Sequence, residues 1–372
     1  MRPSVHSPQR ILIVRLSALG DVVHALPVLD ALRTAFPRAR IDWWIEHRFA
    51  SLLEPHPQID HVWRWRRERG RGLGGVLRDA HALLRCAGAI RRVRYDWAID
   101  VQGNLRSGLC TLLSGARWRV GFAHGDTTEP AHAFYDRRVR GPRGRVHRVR
   151  KNLALLEALG IPVASARPQL AASDTARQRM RTALGPHAER PFVALHPGVS
   201  RFGAFKRWAP ERFAALATAL HRERGLPSLV TWGPGERAVA ERVCALAPRA
   251  ARLAPATGSL DELMALYERA RLVIGVDTGP LQVAAALGTP TLTLFGPKDP
   301  HVHGPWDARR NAPAPFVWLG VPCSPCTRRR CAHRSCMRYL ELRDVLPRAL
   351  ALLDTPPAVN RPAAAADPRA HR

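Results

Sequence analysis

Apolar residues in this chain fall in short continuous runs, and between the runs their spacing changes to that of helices. Ile11-Leu12-Ile13-Val14, residues 41–45 and 97–101, Phe192-Val193-Ala194-Leu195, residues 228–232, Leu272 to Val276 and Thr291 to Phe295 each read as a strand. Runs this short and this largely apolar suit strands covered on both faces, as in parallel sheets. Val22, Leu26, Leu29 and Leu32 share one helix face, and Pro27 predicts a short first turn with a restart. The spacing predicts further helices from Leu77 to Ile90, over 174–183, and from Pro280 to Leu287. Strands alternating with helices predict an α/β fold. The pattern occurs twice, on either side of a stretch (160–190) punctuated by Pro162, Pro168, Gly185 and Pro186. The expected organisation is a domain over 1–172, a second over 186–355, and a Pro- and Ala-rich tail at 356–372 expected to be disordered.

Two turns in this pattern carry candidate chemistry. The strand Leu272 to Val276 stops at Asp277-Thr278-Gly279, and Pro280 suits the first turn of the following helix. A strand, a tight turn and a helix start leave backbone N–H groups and a positive dipole end facing one crevice, which is how α/β proteins hold phosphates. The same residues would also make an ordinary connection between strand and helix. At the N-terminal end, Ile11-Leu12-Ile13-Val14 runs into Arg15-Leu16-Ser17-Ala18-Leu19-Gly20-Asp21. Asp21 then stands at a helix start, where capping alone would account for it; a base is the other reading.

Composition narrows the partners. With 372 residues, 46% of them hydrophobic, the chain can fill two cores. No apolar run approaches the ~18 residues of a membrane span. The first apolar run ends at Arg15 and is no signal peptide, so the expectation is a cytoplasmic protein. The formal charge of +28 attracts polyanions: nucleic acid, anionic lipid headgroups or phosphorylated glycolipid. Of 58 basic residues only Lys151, Lys206 and Lys298 are lysine, so compositional bias toward Arg contributes to that charge. Lys206 and Lys298 lie in Gly- and Pro-containing turns, where a compact point charge suits phosphate.

The segments ILIVRLSALGDVVHALPVLDALR, DWAIDVQGNLRSGL, Leu195 to Trp208, GVDTGPLQVAAALGTPTLTLFGPKDP and CSPCTRRRCAHRSCM, in this order, resemble glycosyltransferase family 9, the bacterial lipopolysaccharide heptosyltransferases. The resemblance runs from about Ile11 to Leu353. It implies a GT-B type fold, two Rossmann-like domains facing each other across a cleft, with the acceptor and base in the first and the nucleotide sugar in the second. Asp21 matches the family's catalytic Asp, and the matched N-terminal segments put Ser17, Gly20 and Gln102 on the acceptor side. On the donor side the resemblance implies Ser200, Lys206, Glu236, Asp277, Thr278 and Gly279. Many relatives carry His where this chain has Gln282, which can hydrogen-bond but cannot carry charge.

A single carboxylate base suits direct displacement with inversion at the anomeric carbon. The chain lacks an Asp-x-Asp pair of the kind that holds a divalent ion in other transferases, so no cofactor is expected for the transfer step. The implied reaction moves a heptose from ADP-heptose to the inner core of lipopolysaccharide. Its alternatives are another nucleotide sugar for a different surface glycan, and, from another class, a basic nucleic-acid-binding protein. Against the last, the charge is spread along the chain without a nucleic-acid-binding motif.

Two further clusters stand apart. Cys323, Cys326, Cys331 and Cys336, with His333 among them, suggest a structural metal more than a disulfide if the protein is intracellular, although the spacing is not that of two zinc knuckles. Cys86, Cys110 and Cys244 suit core positions. In 63–71, Trp63 and Trp65 alternate with Arg64, Arg66 and Arg67. On an extended segment that separates an aromatic from a cationic face, which suits an anionic glycolipid acceptor and peripheral contact with the inner membrane; a solvated charged loop is the plain alternative.

Overall fold

The computed structural model describes residues 7–67, 72–326 and 328–355; the expected tail, and residues 68–71 of the basic segment, lie outside them. The first sheet holds β1 (Arg10–Val14), β2 (Arg40–Glu46), β3 (His61–Trp65), β4 (Trp97–Asp100), β5 (Trp118–Phe122) and β6 (Arg137–Val139). All its pairings are parallel, in the order β3-β2-β1-β4-β5-β6. The second holds β7 (Val193–His196), β8 (Ser228–Val230), β9 (Ala251–Leu253), β10 (Leu272–Val276) and β11 (Thr291–Phe295). After a short pair, β12 (Trp306–Asp307) with β13 (Ala312–Pro313), it is completed by β14 (Phe316–Trp318). Its order, β14-β11-β10-β7-β8-β9, is the same doubly wound topology. The chain is therefore two Rossmann-like units, the GT-B arrangement.

The strands form because they are covered on both faces: β1 is buried from Ile11 to Val14, and β10 and β11 throughout. On the outer face of the first sheet lie α3 (Leu73–Val93) and α4 (Leu105–Leu113), packed over Leu12, Val14 and Ala98. Its inner face carries α1 (Leu19–Val23), α2 (Leu26–Ala35) and α5 (Arg148–Glu157), with α6 (Asp174–Leu184) in the connection between domains. The second sheet is covered outside by α7 (Pro210–Arg224), α8 (Arg237–Leu246) and α13 (Leu342–Asp354), and inside by α9 (Leu260–Glu268) and α10 (Gly279–Ala286). Two short helices, α11 (Pro300–His303) and α12 (Ser335–Arg338), lie between β11 and α13. One apolar core joins the inner faces of both domains, including Ile13, Val28, Met264 and Val283. Pro27 does start a second helix, after α1 has ended at Val23.

Beyond the strands the pattern predicts, the two sheets also hold β3, β5, β6, β9 and β14, and α3 begins four residues earlier than predicted. Each of these strands sits toward a sheet margin, so its apolar run is short or interrupted by Arg.

Candidate active site

In a sheet of this order the chain reverses direction between β1 and β4, and ligands bind at the strand ends beside that point. The Arg15–Asp21 loop follows β1, and Gln102 follows β4. In the second domain the equivalent positions follow β7, leading to Ser200 and Lys206, and β10, leading to Asp277, Thr278 and Gly279. The topology thus delivers most of the candidate residues to two facing strand-end crevices.

The two crevices touch. A Cβ added to Gly279 would stand 2.7 Å from Leu19, and one added to Gly20 would stand 3.0 Å from Gln282. The starts of α1 and α10 are therefore in contact across the domain boundary; a side chain at 279 would not fit against Leu19, and one at 20 would have to displace the Gln282 side chain. Asp21 lies in the first turn of α1 with its side chain 44% exposed, 3.1 Å from the Arg15 guanidinium. Burial resists ionisation of its carboxyl, but Arg15, His24 and Arg148 outweigh burial and hold the pKa below the usual carboxylate value. It is an ionised acceptor of protons at neutral pH. Arg15 is itself fixed by donating to the Val101 carbonyl at 2.8 Å. The Gln102 side-chain oxygen accepts from the amides of Leu16 and Ser17, at 2.8 and 3.2 Å. That contact gives Gln102 a part in shaping the loop that presents Asp21.

On the donor side Lys206 donates to the Asp277 carboxylate and, at 3.1 Å, to the Asp277 carbonyl. Asp277 therefore does not serve mainly as a cap of α10; the Thr278 N-cap makes no side-chain capping bond either. Ser200 opens a 3-10 turn over Arg201–Lys206, which brings Lys206 back to β10. Lys298, from the turn after β11, is half-buried and close enough to Lys206, Arg148 and Asp277 to be affected by them. Burial and the neighbouring cations lower its pKa. Glu236 curls back against the glycines, accepting from Gly233 N–H at 3.0 Å, and a Cβ on Gly198 would collide with its carboxylate. Burial raises its pKa against the Gly233 bond and Arg207.

Gln282 is 3% exposed, donates to the His303 carbonyl at 2.9 Å, and has a buried side-chain oxygen without a partner among the described residues. His24 and His147 of the first domain both donate through Nε2 to the Gly304 carbonyl of the second, at 3.1 and 2.9 Å. Arg145 pairs with Asp299 across the same boundary. Arg15, Arg148, His24 and His303 were absent from the sequence-derived set; a basic or imidazole side chain gives no local signal that it will reach another domain.

The alternation at 63–67 resolves differently from the membrane reading. β3 turns Trp63 and Trp65 inward, Trp63 donating to Tyr95 Oη at 2.8 Å and to Asp42 at 3.2 Å, and Trp65 is 2% exposed. Arg64 pairs with Glu54 at 2.9 Å, and Arg67 stands 3.7 Å from Glu46 and 3.8 Å from Asp79. Only Arg66 of the three makes no ion pair among those described. The aromatic face is core, since β3 is a paired strand of the sheet.

Cys323, Cys326, Cys331 and Cys336 gather with His333 around one small cavity beside Phe205 and Pro297. Among the described residues no three His, Cys, Asp or Glu side chains are grouped so as to hold a metal ion. The cysteine segment does brace the turn that carries Lys298. Cys326 N–H donates to the Pro297 carbonyl at 2.7 Å, Ser324 donates to the Gly296 carbonyl at 2.7 Å, and Met337 and Cys336 pack where a Gly296 Cβ would be.

Comparison with known proteins agrees with this geometry. Lipopolysaccharide heptosyltransferase 1 of Pseudomonas aeruginosa is 31% identical over 341 residues, 87% of this chain and 88% of that protein. The protein of the same name from Escherichia coli K12 is 30% identical, covering 79% and 90%. Among solved structures, E. coli heptosyltransferase WaaC with ADP superposes with a TM-score of 0.70 at 25% identity, over 92% of this chain and 98% of that one. A Veillonella parvula family 9 glycosyltransferase gives 0.73 at 22% identity, over 93% and 97%. Residues 83–336 match the family described as glycosyltransferase family 9 (heptosyltransferase), and with two facing Rossmann-like domains and an Asp21 carboxylate set against the donor-side turn, the chain belongs to that family.

Proposed function

We propose that this glycosyltransferase moves a heptose from ADP-heptose to the inner core of lipopolysaccharide, with inversion at the anomeric carbon. The observation that carries the reading is the contact between α1 and α10, which sets an ionised Asp21 beside the Asp277-Thr278-Gly279 turn. Asp21 takes the proton from the acceptor hydroxyl, the oxygen attacks the anomeric carbon, and the bond to the diphosphate breaks. Lys206, Lys298, Arg148 and the start of α10 oppose the charge that develops on the departing diphosphate. Four fixed positive groups can do this without a divalent ion, so we assign no cofactor to transfer and give the cysteine segment the bracing of the Lys298 turn. Glu236, in the turn after β8, is the candidate nucleoside contact.

The acceptor is an anionic glycolipid, which fits the net positive charge. We infer a cytoplasmic enzyme working peripherally at the inner membrane; no helix among the described residues is long and apolar enough to cross a membrane. The test is incubation with ADP-heptose and a heptose-free core acceptor in detergent, reading acceptor mass beside Asp21→Asn. A gain of one heptose with wild type and almost none with the variant supports both reaction and base. No gain with wild type removes the donor and acceptor assignment.

A further inference from the structure

α3 has three faces where an ordinary surface helix has two. Gly75, Leu83, Ala87 and Ile90 pack on the first sheet. Leu73, Leu77 and Leu84, at 76%, 61% and 58% exposure, form a second stripe turned to solvent. At 100° per residue, Arg78, Arg85 and Arg92 fall along one flank of that stripe, and all three are exposed. The helix's single acid, Asp79, is on the other side, near Arg67. The neighbouring α4 repeats the design, with exposed Leu105, Leu109 and Leu112 at helical spacing. Together α3 and α4 make the outer layer of the first domain. Apolar residues scattered singly on a surface need no explanation, whereas two adjacent exposed stripes do.

We propose that the outer face of α3 and α4 is the surface by which this protein docks on an anionic lipid bilayer, the leucine stripes entering the headgroup boundary and the flanking arginines meeting lipid phosphates. An apolar stripe beside a basic flank is the chemistry of helices that lie in a membrane interface. A second copy of the chain is a poor occupant, because each copy carries +28 and the flank is basic on both. Position supports the lipid. α3 follows β3 and α4 follows β4, so Leu73 and Leu105 lie at the strand-end edge of the sheet, the edge that also bears the Asp21 loop. A protein docked this way holds its cleft mouth near the headgroups, where a lipid-anchored acceptor emerges. This use rests on the glycolipid acceptor proposed above; the docking itself does not require it.

The experiment is flotation of the full chain, without donor or acceptor, with vesicles of phosphatidylethanolamine and phosphatidylglycerol and with phosphatidylcholine alone. Wild type is expected to bind the anionic vesicles at least tenfold more, the difference shrinking with salt. Leu73→Glu/Leu77→Glu/Leu84→Glu and, separately, Arg78→Glu/Arg85→Glu/Arg92→Glu are each expected to lose binding about tenfold. Both should keep the circular dichroism of wild type and, within about twofold, its transfer rate on detergent-dispersed acceptor. Wild type that fails to bind, or folded variants that bind as well as wild type, would overturn the proposal. So would exposed-leucine variants that convert a wild-type dimer to monomer while vesicle binding persists. If transfer fails in detergent but flotation depends on these residues, the reaction assignment falls and the docking surface stands.

Discussion

Gly279 and Leu19, from opposite domains, are in direct contact, and a single added carbon on the glycine would lie 2.7 Å from the leucine side chain. Such a distance is well inside van der Waals contact, so a methyl group there forces the starts of α1 and α10 apart. Gly279→Ala is expected to leave both domains folded and to lower kcat/KM by roughly 10- to 100-fold, since overpacking costs about 1–3 kcal/mol. Steady-state kinetics beside thermal unfolding checks it; a variant with wild-type kcat/KM would show that the contact does not set the catalytic geometry.

Asp21→Asn keeps the shape of the base and removes its charge. A loss of about 10²–10⁴ in kcat with donor affinity little changed is expected of a positioned base, read by transfer rates and by ADP binding in the same buffer. Because Arg15, His24 and Arg148 hold the Asp21 carboxyl below its ordinary value, the wild-type rate should stay level from neutral pH downward until stability is lost.

Lys206 and Asp277 form a largely buried pair, 19% and 12% exposed. Lys206→Ala removes a charge-assisted contact of about 1.5–3 kcal/mol, so donor KM should rise roughly 10- to 100-fold. Lys298→Ala should raise it less, because Lys298 is only half-buried and, among the described residues, makes no ion pair with Asp277 of the kind Lys206 makes. Equal donor KM in wild type and Lys206→Ala would remove the lysine from the diphosphate site.

Buried histidines set the acid limit. The pKa of His147 is lowered to about 3, and those of His56 and His196 to about 4, in each case by burial first. An unfolded histidine titrates near 6.5, so below that pH the unfolded chain takes up protons the native state refuses. Stability is full above about pH 6.5 and falls as pH drops toward 4, on the order of 1.4 kcal/mol per pH unit for each such histidine. Urea midpoints at pH 7.5, 6 and 5 should fall in that order, and less steeply in His147→Gln.

Metal removal tests whether transfer proceeds on protein groups alone. Protein dialysed against chelator is expected to keep its transfer rate, since the positive charge at the diphosphate comes from side chains and a helix start. Loss of activity that returns on adding one divalent metal would place a metal in the reaction.

Much of this protein is written locally. The runs Ile11 to Val14 and Leu272 to Val276 are apolar throughout because those strands are covered on both faces, so burial alone made them legible. The turn chemistry of Asp277-Thr278-Gly279 and the Gly20-Asp21 helix start were equally visible, each being set within a few residues. Tertiary structure decided what no local pattern records. It turned Trp63 and Trp65 into core, because β3 gained β2 as a neighbour. It left Leu73, Leu77 and Leu84 in solvent, although helical spacing alone would have assigned some of them to a core. It also brought Arg148, His24 and His303 to Asp21 and Asp277. Helix and strand preference act over neighbouring residues, whereas the field on a carboxylate depends on every charge within about a Debye length, whichever domain supplies it.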